Sequence, residues 1–213
     1  MLTNGGNMDG REQNQTVNKR AVAIFERKGG LMRMSEAVRA GVHRGTLRAM
    51  VDHGELQKLS RGLYQLVDAT SLTHPDLAAV AVKVPEGVIC LISALAFHEL
   101  TTQIPHEVYL AIDRNSEPPR IDFPPVRTFR FSGDAFTQGI ELHKAGSVVL
   151  RMYSREKTIA DCFKFRNKVG LDTCIEALRR YRESKSFSPD TLLRFAAICR
   201  VPQVMRPYIE AIL

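Results

Sequence analysis

Arg44 and Arg48 stand four residues apart in RGTLR, with Gly45 between them, and Lys58 and Arg61 follow in LQKLSRGLY. On a helix, side chains at this spacing share one face. A guanidinium offers a planar fork of donors that matches phosphate oxygens or the O6/N7 edge of guanine. The glycine between them carries no side chain, so a polyanion can approach the backbone closely. Leu47, Met50 and Val51 recur at helical spacing and are expected inward, leaving Arg44, Gly45, Arg48 and Asp52 on the opposite face. The chemistry on offer is therefore recognition of phosphate and base edges, without bond making. The plain alternative is a solvated helix face, since exposed charge is the default. The order of the surrounding elements argues against it.

The helix carrying the arginines is expected to stop at His53-Gly54. Two strand-like runs follow, joined by a tight Ser60-Arg61-Gly62 turn that puts Lys58 and Arg61 near a hairpin tip. Upstream, Ser35 is placed as the N-cap of a helix over Glu36 to Ala40, with Gly41 as its stop. An earlier helix over about residues 17–28 has Val17, Ala21, Ile24 and Phe25 as its apolar stripe and ends at Gly29-Gly30. Two helices across a glycine-containing turn, then a basic hairpin, is the order of a winged helix-turn-helix, whose second helix enters the major groove.

The distribution of charge supports a polyanionic partner at one end. The net charge is +7 over 213 residues. From Val17 to Leu66 the bases are Lys19, Arg20, Arg27, Lys28, Arg33, Arg39, Arg44, Arg48, Lys58 and Arg61, against Glu26, Glu36, Asp52 and Glu55. Between Ser71 and Pro125 the balance reverses, and from Val126 onward it is basic again. No apolar run reaches the length of a membrane span. The start, MLTNGGNMDGREQNQ, lacks the apolar segment of a secretory signal and reads as a disordered leader over 1–15. Cys90, Cys162, Cys174 and Cys199 are widely spaced in apolar settings, which suits reduced thiols in a cytoplasm and no structural zinc.

Beyond a boundary near Asp68-Ala69-Thr70-Ser71, apolar strand-like runs at 108–112, 126–131, 140–143 and 147–153 alternate with helical patterns. Ser154 and Ser188-Pro189-Asp190 mark helix starts in the last third. The expected class is α+β, with three parts. These are the leader, a winged helix-turn-helix over 16–68, and a mixed α/β domain over 72–213 with a helical C-terminal tail.

Catalytic signatures are weak. Lys157, Asp161 and Lys164 fall at i, i+4 and i+7, the spacing of an ion-pair ladder. Asp113 stands alone at a strand end, and there is no phosphate-cradling glycine motif and no nucleophile elbow. The six histidines form no H-x-x-x-H pair, and His98 reads as a hydrogen-bonded core residue. Neither an enzyme activity, a metal nor a cofactor is expected.

The stretch SEAVRAGVHRGTLRAMVDHGELQKLSRGLYQL resembles the N-terminal winged helix of AbiEi-type antitoxins, from the abortive-infection, type IV toxin–antitoxin systems. YSREKTIADCFKFRNKVGLDTCIEALRRY resembles the C-terminal domain of the same family. The resemblance implies a transcriptional autorepressor that binds inverted repeats at its own promoter. It also implies a second domain that neutralises a nucleotidyltransferase toxin, with or without touching it. By this resemblance Arg44, Thr46 and Arg48 belong to the reading helix, and Lys58, Ser60 and Arg61 to the wing. His43 stands where the family often has Ser as the helix cap; it caps less well or itself meets phosphate. The chain is expected to act in the cytoplasm, away from membrane, as a monomer or weak dimer on double-stranded DNA. A protein-docking platform that binds no DNA is the competing reading.

Overall fold

The computed structural model describes residues 9–67, 74–146 and 148–212, so the boundary placed at 68–71 lies outside the described residues. The chain divides into two compact units, Met1–Val82 with Ala145–Val148, and Lys83–Lys144 with Val149–Leu213. Both contain helices and sheet, and the class is mixed α and β.

The first unit runs α1 (Asp9–Arg27), β1 (Leu31–Arg33), α2 (Met34–Arg39), α3 (Arg44–Asp52), β2 (Leu56–Ser60) and β3 (Leu63–Leu66), and α4 (Pro75–Lys83) leads to the division. α1 begins at Asp9, so residues 9–15 are helical and not part of a disordered leader. On its apolar stripe Ala21, Ile24 and Phe25 are buried, whereas Val17 is 47% exposed.

β1, three residues long, has no readable period of its own in the sequence. It exists because β3 pairs with it antiparallel, Leu31 opposite Gln65 and Arg33 opposite Leu63. The sheet order is β1-β3-β2. α2 is capped by Arg33 and not by Ser35: the Glu36 carboxylate accepts the Arg33 backbone N–H at 3.1 Å. Both short helices close in the same way. Val42 N–H donates to Ala37 O and Gly41 N–H to Val38 O, while Glu55 N–H donates to Met50 O and Gly54 N–H to Val51 O. This six-to-one and five-to-two pairing needs a left-handed residue, and Gly41 (φ +93°) and Gly54 (φ +74°) supply it without a Cβ penalty. The core of the unit joins Phe25, Met32, Ala37, Val42, Leu47, Met50, Leu56 and Leu66.

The second unit contains β4 (Val88–Ile89), α5 (Leu91–Phe97), β5 (Val108–Asp113), β6 (Val126–Phe131), α6 (Asp134–Thr137) and all but the adjoining end residues of β7 (Ile140–Ala145) and β8 (Val148–Tyr153). Helices α7 (Arg155–Lys164), α8 (Arg166–Val169), α9 (Leu171–Glu183), α10 (Pro189–Cys199) and α11 (Pro202–Ile212) follow. Its sheet runs β6-β5-β4-β8-β7 and is mixed: β5 is parallel to β6 and antiparallel to β4, and β4 is parallel to β8. β5 is buried over its first five residues, as a strand covered on both faces should be. α7 is capped by Ser154, whose hydroxyl accepts the Lys157 N–H, and α10 by Ser188. Every residue of α7 from Lys157 to Phe163 is buried. Among the described residues no helix is long and apolar enough to cross a membrane.

Candidate nucleic-acid interface

α3 takes its orientation from two side chains. Leu47 is 1% exposed and Met50 not at all, and both join the core of the first unit. Val51, expected to be buried with them, is half-buried and packs against its edge. This fixes the opposite face outward: His43, Arg44, Gly45, Arg48 and Asp52 are all exposed. A Cβ built on Gly45 meets nothing within 4 Å, so the glycine faces open space and relieves no internal clash. Thr46 is half-buried, at the border of the face.

His43 is the N-cap of α3 in extended conformation, and its side chain makes no capping hydrogen bond. The first N–H groups of α3 therefore keep unused donor capacity at the positive end of the helix dipole. Asp52, the one acid on this face, sits at the far end of the helix, away from Arg44.

The hairpin follows directly. Leu56 opposes Leu66 and Lys58 opposes Tyr64, with an irregularity between Lys58 and Ser60. Leu56 and Leu66 are buried in the core, while Lys58, nearer the hairpin tip, stays exposed and Arg61 is exposed at the turn. Ser60 is described through its backbone in β2, and its side chain lies outside the described residues. The hairpin is tied back by Gly62 O, which accepts from Met34 N–H, and by Leu66 N–H, which donates to Gly30 O, both at 2.8 Å. Glu55 O accepts from Val67 N–H, and the Asn18 amide donates to the Glu55 carboxylate at 3.2 Å. The short α3–β2 connection is thus held on both sides. Arg44 and Arg48 lie on one element, and Lys58 and Arg61 on the next.

Two arrangements in the second unit were not legible as drawn. Lys157 and Asp161 do pair four residues apart, but inside the core, with both side chains fully buried. The Cys199 thiol donates to the second Asp161 oxygen at 3.1 Å, and the Lys157 ammonium stands 3.9 Å from the Tyr153 ring centroid. Burial pushes the Asp161 carboxyl up, and Lys157 and the Cys199 hydrogen bond pull it back. Both side chains are shut off from bulk solvent, as an ion pair built into the core requires. His98 is buried and hydrogen-bonded to the Tyr153 carbonyl at 2.8 Å, as a core histidine should be. It also lies with Glu141 and His143 in one cluster. No motif scan could find that cluster, because His98 comes from a distant segment.

Residues 19–67 match the protein family described as transcriptional regulator, AbiEi antitoxin. The match spans the whole of the first stretch read as AbiEi-like, and the second stretch, residues 153–181, lies beyond it. It points to a transcriptional regulator and antitoxin, of a family that is generally non-enzymatic. No curated protein matches the chain. Among solved structures, the crystal structure of the RV2827C protein from Mycobacterium tuberculosis is similar, with a TM-score of 0.57 at 13% identity. The similarity covers 92% of this chain and 81% of that one, and it is a likeness of fold.

Proposed function

We propose that residues 16–68 form a winged helix that binds double-stranded DNA. On this reading the chain is the autorepressor and antitoxin of a type IV, AbiE-like toxin–antitoxin pair. α3 is the reading helix: Arg44 and Arg48 reach base edges or neighbouring phosphates, and Thr46 makes a lesser contact from the border of the face. Gly45 lets the duplex come close. His43 and the free N–H groups at the start of α3 meet phosphate, and Lys58, Ser60 and Arg61 hold the backbone from the wing.

One observation carries the reading. α3 spends Leu47 and Met50 on the core and turns two arginines and a glycine outward, where packing has no use for them. The order α1, β1, α2, α3, β2, β3 with sheet order β1-β3-β2 supports it, because it places a hairpin immediately after the helix that carries the arginines.

The DNA is the chain's own promoter, with the binding sites as inverted repeats occupied by a pair of chains or by independent monomers. Residues 72–213 form the antitoxin domain, acting against a nucleotidyltransferase toxin. The deciding experiment is an electrophoretic shift on the upstream promoter. The wild-type chain retards it with an affinity that falls steeply with salt, and the Arg44→Ala/Arg48→Ala variant does not. A shift unchanged in that variant eliminates the assignment. Co-purification with the neighbouring gene product, with no retention of DNA, would favour a docking platform instead.

A further inference from the structure

We propose that His98, Glu141 and His143 form a binding site for one divalent transition-metal ion, zinc being the best chemical match. Each residue offers one ligand atom, and the three atoms lie within 4.8 Å of one another. The site stands in the second unit and is independent of the DNA-binding reading.

The fold assembles it from two elements. Glu141 and His143 are alternate residues of β7, so their side chains leave the same face of the strand. His98 is the C-cap residue of α5, where the helix has just ended and the backbone turns away. β7 is the last strand in the sheet order, so this face lies at the sheet's margin.

His98 is prepared as a ligand. Its Nε2 lies 2.8 Å from the Tyr153 carbonyl oxygen. A carbonyl can only accept, so Nε2 carries the proton and Nδ1 keeps its lone pair. Fixing the tautomer through a backbone carbonyl is the arrangement that orients metal-binding histidines generally. The ring is also held sterically: Phe97 packs edge-on against both imidazoles, at centroid distances of 5.6 Å to His98 and 4.8 Å to His143.

The other two ligands have the freedom to close on an ion. The Glu141 side chain is 44% exposed and that of His143 is 28% exposed. Tetrahedral zinc with bonds of about 2.0–2.1 Å wants its ligand atoms roughly 3.3 Å apart. His143 Nε2 and Glu141 Oε2 are already 3.1 Å apart. The remaining contraction falls to these two partly exposed side chains, while buried His98 stays put. Two imidazoles and one carboxylate suit zinc, whereas magnesium and calcium want oxygen throughout. Three protein ligands with solvent on one side leave the fourth position to water. The competing account is a half-exposed Glu141–His143 ion pair beside an unrelated core histidine.

The experiment is calorimetric titration of zinc sulfate into the untagged full chain after chelator treatment and dialysis. One equivalent binds per chain, and bound zinc raises the thermal midpoint. His143→Ala and Glu141→Gln, at a half-buried and an exposed position and both checked for folding by circular dichroism, lower the affinity at least about 10–100-fold. His106→Ala, at an exposed histidine elsewhere in the same unit, leaves it unchanged. Absence of stoichiometric binding to the wild-type chain overturns the proposal, as does equal affinity in the wild-type chain and both site variants.

Discussion

Two helices of this protein carry a pair of ionic side chains four residues apart, and the two pairs meet opposite fates. In α3, Arg44 and Arg48 stand in solvent with Gly45 between them. In α7, Lys157 and Asp161 are wholly buried, the ammonium against the Tyr153 ring and 5.0 Å from the Phe131 centroid. Spacing alone does not separate the cases. What each helix packs against does: α3 buries only Leu47 and Met50, whereas α7 is buried continuously from Lys157 to Phe163. A charge enclosed on every side must bring its partner along. Spacing says which side chains share a face; what that face packs against says whether it is wet.

The largest test of this contrast is Asp161→Leu. It strands the Lys157 ammonium in the core and is expected to cost about 3–5 kcal/mol in urea unfolding. Adding Lys157→Met should restore most of the loss, since the uncompensated charge is gone; a single variant as stable as wild type would mean the pair is not desolvated. Arg44→Ala and Arg48→Ala should do the reverse. Folding stability should stay within roughly 0.5 kcal/mol of wild type. Affinity for the promoter duplex should fall by about 1–3 kcal/mol for whichever arginine reads a base edge.

Smaller again are Lys58→Ala and Arg61→Ala. Each should weaken binding alike on all sequences and reduce the salt slope by about 1; an effect confined to one sequence would move the wing residue from phosphate to base. The smallest and most discriminating is Gly45→Ala. An added Cβ meets nothing in the protein, so helix propensity alone should raise stability by up to about 1 kcal/mol. If the duplex lies against this face, affinity should nonetheless drop. Affinity that holds while stability rises would remove Gly45 from the interface.

The parts of the fold that could be read in advance are those written in local pattern. The inward Leu47 and Met50, the glycine stops at Gly41 and Gly54 and the Ser154 and Ser188 caps each rest on neighbours within a turn or two. What escaped depends on distant partners. β1 is a strand because β3 lies beside it, and the N-cap of α2 is Arg33 because Glu36 reaches back to it. Lys157 and Asp161 share a helix face, yet their burial is decided by Tyr153, Phe131 and Cys199. His98 meets Glu141 and His143 only once β7 has been placed. The start of α1 escapes for another reason: an amide-rich composition is shared by disordered segments and by helices.

The middle strand of the first sheet is also the last of the three to be made. β3 bonds to β1 on one side and β2 on the other, and Leu31 must wait for Gln65 before either is satisfied. The β2–β3 ribbon can close at once across a two-residue turn, and the amino-terminal strand then docks onto a finished edge. A chain released from the ribosome before Leu66 would lack the one strand its neighbours share.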